Sequence, residues 1–75
     1  MDQAHYGVLL FLSTNWALKA ERAAKRTGFD IKLIPTPRQL SSDCGTALRF
    51  SWEDREALAQ ALSERGVSFE RMEEL

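Results

Sequence analysis

The chain has 75 residues, a formal net charge of −1 and a single cysteine. That length holds one small domain with a modest core, and one cysteine excludes an intrachain disulfide framework. Ten basic residues dispersed among eleven acids exclude the concentrated basic surface that nucleic-acid binding requires. The apolar run from Val8 to Leu12 is too short to span a membrane and has no cleavage pattern after it. A reducing cytoplasm, where a thiol persists, is therefore the expected location, with no membrane partner.

Tyr6-Gly7-Val8-Leu9-Leu10-Phe11-Leu12 is a continuous apolar run of strand length, predicting a strand near residues 6–12. Ser13 and Thr14 are N-cap candidates for a helix near 14–27, on which Trp16, Ala20, Ala23 and Thr27 share one side, with Ala17 and Ala24 nearby. Gly28 supplies a left-handed stop. Phe29-Asp30-Ile31-Lys32-Leu33-Ile34 begins with the alternation of a half-buried strand, which Pro35 closes. Ala47-Leu48-Arg49-Phe50 reads as a third strand. Ser51-Trp52-Glu53-Asp54 resembles a capping box opening a helix near 52–65, with Ala57, Leu58, Ala61 and Leu62 as its buried stripe and Gly66 as its stop. The alternation Val67-Ser68-Phe69-Glu70-Arg71-Met72 gives a last strand near 67–72.

The two halves echo each other: Thr27-Gly28-Phe29-Asp30-Ile31 matches Arg65-Gly66-Val67-Ser68-Phe69 in type and position. Two successive strand–helix–strand units predict an α+β, ferredoxin-like β-α-β-β-α-β fold, a four-stranded antiparallel sheet with both helices on one face. A flavodoxin-like arrangement needs more strands than this length allows. In the first strand Val8, Leu10 and Leu12 point one way, while Leu9 and Phe11 point the other. We expect Leu9 and Phe11 to lie on the face without helices, a surface for a homodimer or another partner.

The connection between the second and third strands is longer than an ordinary hairpin loop and carries the residues best suited to chemistry. Thr36-Pro37-Arg38-Gln39 reads as a second capping box starting a turn or two of helix, with Leu40 turned onto the core. Ser41-Ser42-Asp43-Cys44-Gly45 follows, where Gly45 allows a sharp turn that leaves the sulfur accessible to solvent. Thiolate is the nucleophilic form, and Arg38 on the loop or Arg49 on the next strand would favour it, as would turn N–H groups. Cys44, Arg38 and Arg49 are thus the candidate reactive set. Thr36, Ser41, Ser42 and Gly45 are the candidate binding set, the serines donating hydrogen bonds to a charged sulfur. Other chemistries lack their parts. His5 is the only histidine and stands near the start of the chain, so neither a Cys-His pair nor a metal site assembles. The four glycines are isolated, so no phosphate loop or other cofactor motif is present.

The chain resembles the family of small bacterial and archaeal selenium/sulfur carrier-like proteins over nearly its whole length. The resemblance rests on the first apolar strand, on Ala17-Leu18-Lys19-Ala20-Glu21, and on Gly28 before the second strand. Most specific are Leu33-Ile34-Pro35-Thr36-Pro37-Arg38, Ser41-Ser42-Asp43-Cys44-Gly45 and Ala47-Leu48-Arg49-Phe50. Asp43 stands where the family commonly has a further serine. The resemblance implies a single carrier domain over residues 1–75 that holds sulfur or selenium on Cys44 as a persulfide or selenosulfide. It implies donor and acceptor proteins of sulfur or selenium metabolism as partners, and a carrier without turnover of its own. Two rival readings stand beside it: an interaction module using the open sheet face with Cys44 incidental, and a thiol-dependent enzyme or redox sensor, which lacks a resolving cysteine and a paired base.

Overall fold

A run of five apolar or small residues makes the strand that organises the fold. The computed structural model describes residues 5–40 and 44–75. In chain order it contains β1 (Tyr6–Leu10), α1 (Thr14–Arg26), β2 (Ile31–Pro35), β3 (Thr46–Ser51), a 3-10 turn (Trp52–Asp54), α2 (Arg55–Glu64) and β4 (Arg71–Glu74). The sheet order is β2-β3-β1-β4, and every neighbouring pair is antiparallel. The architecture is α+β, a four-stranded antiparallel sheet with two helices. β1 lies between β3 and β4 and is covered on both faces, Leu9 by the helix-side core and Val8 and Leu10 by a second cluster, so all three are 0% exposed. Among the described residues no helix is long and apolar enough to cross a membrane.

The register sorts the sheet's side chains. Leu9 pairs with Leu48 and Met72, and Leu48 with Leu33, all on one face. These residues pack with Phe11, Phe50, Ala17, Ala20, Ala23 and Ala24 of α1, and Leu58 and Leu62 of α2, in one core. Leu9 and Phe11 therefore lie under the helices, and the expectation that they face outward is corrected. The alanines of α1 explain the choice of face, since a small-residue stripe lets the helix backbone approach bulky sheet residues closely. Val8, Leu10 and Ala47 form a second, smaller cluster on the other face, packed against Ile34 and Leu40. Leu40 thus comes down on the sheet, as the sequence suggests, but on the side away from the helices. Leu40 packs on the Val8, Leu10 and Ala47 cluster there, and the Leu9 and Phe11 side chains on which the homodimer expectation rested lie in the helix-covered core. Leu12, expected to share a face with Val8 and Leu10, is instead 66% exposed beyond the end of β1.

Both helices end alike. The N–H groups of Gly28 and Phe29 reach the carbonyls of Lys25 and Ala24, and those of Gly66 and Val67 reach Ser63 and Leu62. Each is the paired-bond helix stop in which the residue after the cap turns left-handed. Gly28 has φ 90° and Gly66 φ 70°, whereas the chain bends at Gly45 without a positive φ, so the turn expected there does not require a glycine. Alanine at Gly28 or Gly66 is expected to cost about 1 kcal/mol each, the steric penalty of a Cβ in that region. Gly45→Ala meets open space, and should stay within roughly 0.5 kcal/mol. Urea melts of the three variants check the contrast.

Two further boundaries differ from expectation. The predicted capping box at Ser51 does not form: a 3-10 turn intervenes, α2 starts at Arg55, and neither Ser51 nor Asp54 makes a side-chain cap bond. The later start rotates Ala57 into solvent, leaving Leu58 and Leu62 as the buried pair. β4 occupies Arg71–Glu74 rather than 67–72. Val67 and Phe69 do pack against the core, but without strand pairing, and the chain rejoins the sheet where the Glu70 N–H bonds to the Leu10 carbonyl at 2.6 Å.

Candidate functional site

The pairing of β1 with β3 assembles the site. Leu10, at the end of β1, lies opposite Ala47 near the start of β3. Residues just after β1 are thereby brought to residues just before β3, joining Thr14 to Cys44 across a sequence separation of 30. The Thr14 hydroxyl lies 3.8 Å from the Cys44 sulfur. The Thr46 N–H donates to Sγ at 3.4 Å, while the thiol donates to the Thr46 carbonyl at 3.3 Å.

Thr14 is the first residue of α1, so the sulfur stands beside that helix's N-terminus. Ser13 is the N-cap, accepting the Trp16 N–H on its Oγ at 3.4 Å. The first turn contains no acidic residue, and Lys25 and Arg26 occupy the last. No carboxylate of that turn therefore neutralises the partial positive charge of roughly +0.5 at the helix start. The Thr46 N–H and the Thr14 hydroxyl thus stand within hydrogen-bonding reach of the sulfur, beside the helix end.

Cys44 is 4% exposed and packs within the core that lies beneath the helices. This corrects the expectation of a solvent-accessible thiol. Its backbone is tied to the end of β2. Thr36 Oγ1 donates to the Cys44 carbonyl at 2.8 Å, and the Thr36 N–H donates to the Gly45 carbonyl at 3.0 Å. Thr36 therefore latches the cysteine segment instead of capping a helix. Among the described residues its stretch forms only a turn, closed by the Leu40 N–H on the Pro37 carbonyl at 3.0 Å.

The two arginines separate. Arg38 is exposed on that turn, without a hydrogen bond or ion pair to Cys44. Arg49 pairs across the sheet with Val8 and Lys32, on the face opposite the core that holds the thiol. Its guanidinium lies 4.3 Å from the Tyr6 ring centroid, and its buried Nε has no hydrogen-bond partner. The structure thus brings Thr36, Cys44 and Gly45 together and keeps Arg49 apart from them. Ser41 and Ser42 lie outside the described residues.

Thr14 and Thr46 are the site residues that sequence reasoning misses. In sequence Thr14 reads as a helix-cap candidate, and its second role appears only once β1 and β3 pair. The available signal is positional: in an antiparallel pair, the residue leaving one strand meets the residue entering the other.

A family model described as "Putative Se/S carrier protein-like" matches residues 6–74. No curated protein and no solved structure matches the chain. The matched span runs from the first residue of β1 to the last of β4 and includes the whole cysteine site. The chain belongs to the Se/S carrier protein-like family.

Proposed function

We propose that this chain is a sulfur or selenium carrier that holds one chalcogen atom on Cys44 as a persulfide or selenosulfide and passes it to an acceptor in the cytoplasm. The observation that supports the reading most is the placement of the one cysteine sulfur beside the α1 N-terminus, with the Thr46 N–H and Thr14 hydroxyl within reach. We read the fold as ferredoxin-like on the element order and antiparallel pairing described above.

The chemistry needs no external oxidant. The Cys44 thiolate attacks the outer sulfur of a donor persulfide, R–S–SH. A new S–S bond forms on Cys44, the donor's S–S bond breaks, and R–S⁻ leaves with the electron pair, taking up the proton. A selenopersulfide, R–S–SeH, delivers selenium by the same exchange. In the second step an acceptor thiolate attacks the outer atom and Cys44 departs as thiolate. A persulfide is acidic and anionic, so the donors around Sγ stabilise the loaded form more than the thiol. Thr36 positions the segment through its two bonds, Gly45 leaves open space beside the sulfur's residue, and Arg38 meets the incoming donor from the exposed turn. Ser41 and Ser42 are proposed as further donors, and Arg49 as a charge that acts from the opposite face.

Reduced protein treated anaerobically with polysulfide, or with the selenopersulfide of a small thiol, is expected to gain one sulfur or selenium atom per chain by intact mass. Cys44→Ser should gain none. Thr14→Val removes one hydrogen-bonding group worth about 1 kcal/mol, and so should lower the equilibrium constant for loading roughly fivefold. A mass gain in Cys44→Ser equal to that of the parent chain, or an inert parent, would overturn the reading.

A further inference from the structure

Away from the thiol, a groove of about 260 Å³ runs between α1 and the end of α2, lined by Lys19, Arg22, Ala23, Arg26, Arg65 and Val67. Four of these six residues are cations, and all four are exposed. None of them makes an ion pair among the described residues. The nearby acids are engaged elsewhere: Glu21 pairs with Lys25 at 3.4 Å, and Glu64 accepts from Gln60 at 3.3 Å. Lys19 lies 4.9 Å from the Trp16 ring centroid, a contact that leaves its charge uncancelled.

Helix ends account for part of this. Arg26 is in the last turn of α1 and Arg65 caps α2, where cations offset the negative ends of the helix dipoles. Two helix ends of about −0.5 each, and the Glu64 carboxylate bonded only to the neutral Gln60 amide, still leave a net charge of about +2 around the groove. Lys19 and Arg22 sit mid-helix, where no dipole explains them. The chain as a whole is −1, so this groove is a local reversal of its sign.

The shape selects among anions. Small-molecule sites are enclosed, whereas this groove is open, its lining made of Ala23, Val67 and the stems of four charged side chains. No aromatic ring lines the groove to stack a nucleobase. Lys19, Arg22 and Arg26 follow one stripe of α1, and from first to last they span about 10 Å at 1.5 Å per residue. An extended peptide advances about 3.3 Å per residue, so carboxylates two residues apart meet successive cations of the stripe.

We propose that this groove is the docking surface for an Asp/Glu-rich segment of a partner protein. Resting on the carrier reading above, that partner is the protein that loads or unloads Cys44. Thr14, which touches the sulfur, lies on the same helix about 7 Å along the axis from Lys19. Arg26, at the other end of the groove, lies about 18 Å from Thr14 along that axis, so the docked segment is separate from the part of the partner that meets Cys44.

Fluorescence anisotropy with labelled hexaglutamate tests the proposal. Binding should weaken with salt and fall by about tenfold or more in Arg22→Glu/Arg26→Glu, as removal of complementary charge requires. A second pair, Lys19→Glu/Arg65→Glu, should behave the same way, while Lys32→Glu should stay within about twofold, since Lys32 pairs with Arg49 on the sheet face opposite the helices. Unchanged affinity in both groove pairs, or equal binding of hexaglutamine, would overturn the proposal. So would tighter groove-dependent binding of ATP or oligothymidylate than of hexaglutamate. Loading by polysulfide needs no docking and separates the two ideas. Normal loading without peptide binding rejects the groove alone, and peptide binding without loading in the parent chain rejects the carrier.

Discussion

Phe11→Ala is expected to leave little folded protein at 37 °C. Phe11 heads the fully buried side chains by volume and is 0% exposed, packed with both helices and the sheet. Truncating a buried phenylalanine costs about 3–5 kcal/mol, through lost transfer energy and the cavity left behind. At about 0.05–0.15 kcal/mol per residue, a chain of this length has roughly 4–11 kcal/mol of stability in total. One substitution thus removes between about a quarter and all of it. The adjacent Leu12 is 66% exposed, and Leu12→Ala should change stability by no more than about 0.5 kcal/mol. Urea denaturation of the pair reads the difference directly. Similar midpoints for the two variants would show that Phe11 is not in the helix-covered core.

Gly7→Ala has the second largest expected effect, although it adds only a methyl group. A Cβ at Gly7 would stand 2.4 Å from Trp52 Cε3, 2.7 Å from Trp52 Cζ3 and 2.9 Å from Phe50 Cζ. The two rings stack with centroids 6.0 Å apart, and the Trp52 N–H is fixed to the His5 carbonyl at 2.9 Å. Arg55 confines the indole from the other direction, bonding the Trp52 carbonyl at 3.0 Å and lying 5.1 Å from its ring. Overpacking of this kind costs about 1–3 kcal/mol. At roughly 4–8 °C per kcal/mol for a small domain, the melting temperature should fall by about 10 °C. Trp52→Leu makes room, so the double variant should lose less than the sum of the two single changes. Strict additivity would show that the ring does not lie on Gly7.

The sequence carries the element order well because its punctuation is physical. Gly28 and Gly66 take the left-handed conformation their positions imply, and β1, α1, β2, β3 and α2 fall close to their expected ranges. Burial patterning is less informative about pairing. Val67 and Phe69 alternate and pack inward, yet the ladder begins only at Arg71, since alternation reports side-chain direction and not hydrogen bonding. In β1 both alternating sets are apolar, so periodicity had no means of choosing which face meets the helices. The small side chains of α1 decide it, through close approach to Leu9, Leu48 and Phe50. The depth of Cys44 was hidden for a similar reason. A Gly- and Ser-rich neighbourhood resembles an exposed loop, while the contact that buries the sulfur comes from α1, 30 residues away. Arg49 adjoins the site in sequence but faces away from it, because neighbouring residues of a strand point to opposite faces.

The most direct test of the carrier reading is the state of Cys44 in protein purified anaerobically, without added thiol, from cells supplied with sulfide or selenite. Peptide-level mass spectrometry should find a sulfur or selenium atom attached to Cys44 in a substantial fraction of chains, released by dithiothreitol and absent from Cys44→Ser. A Cys44 peptide that is always the unmodified thiol, in protein whose fold is intact and whose sulfur stays inert to persulfide donors, would contradict it.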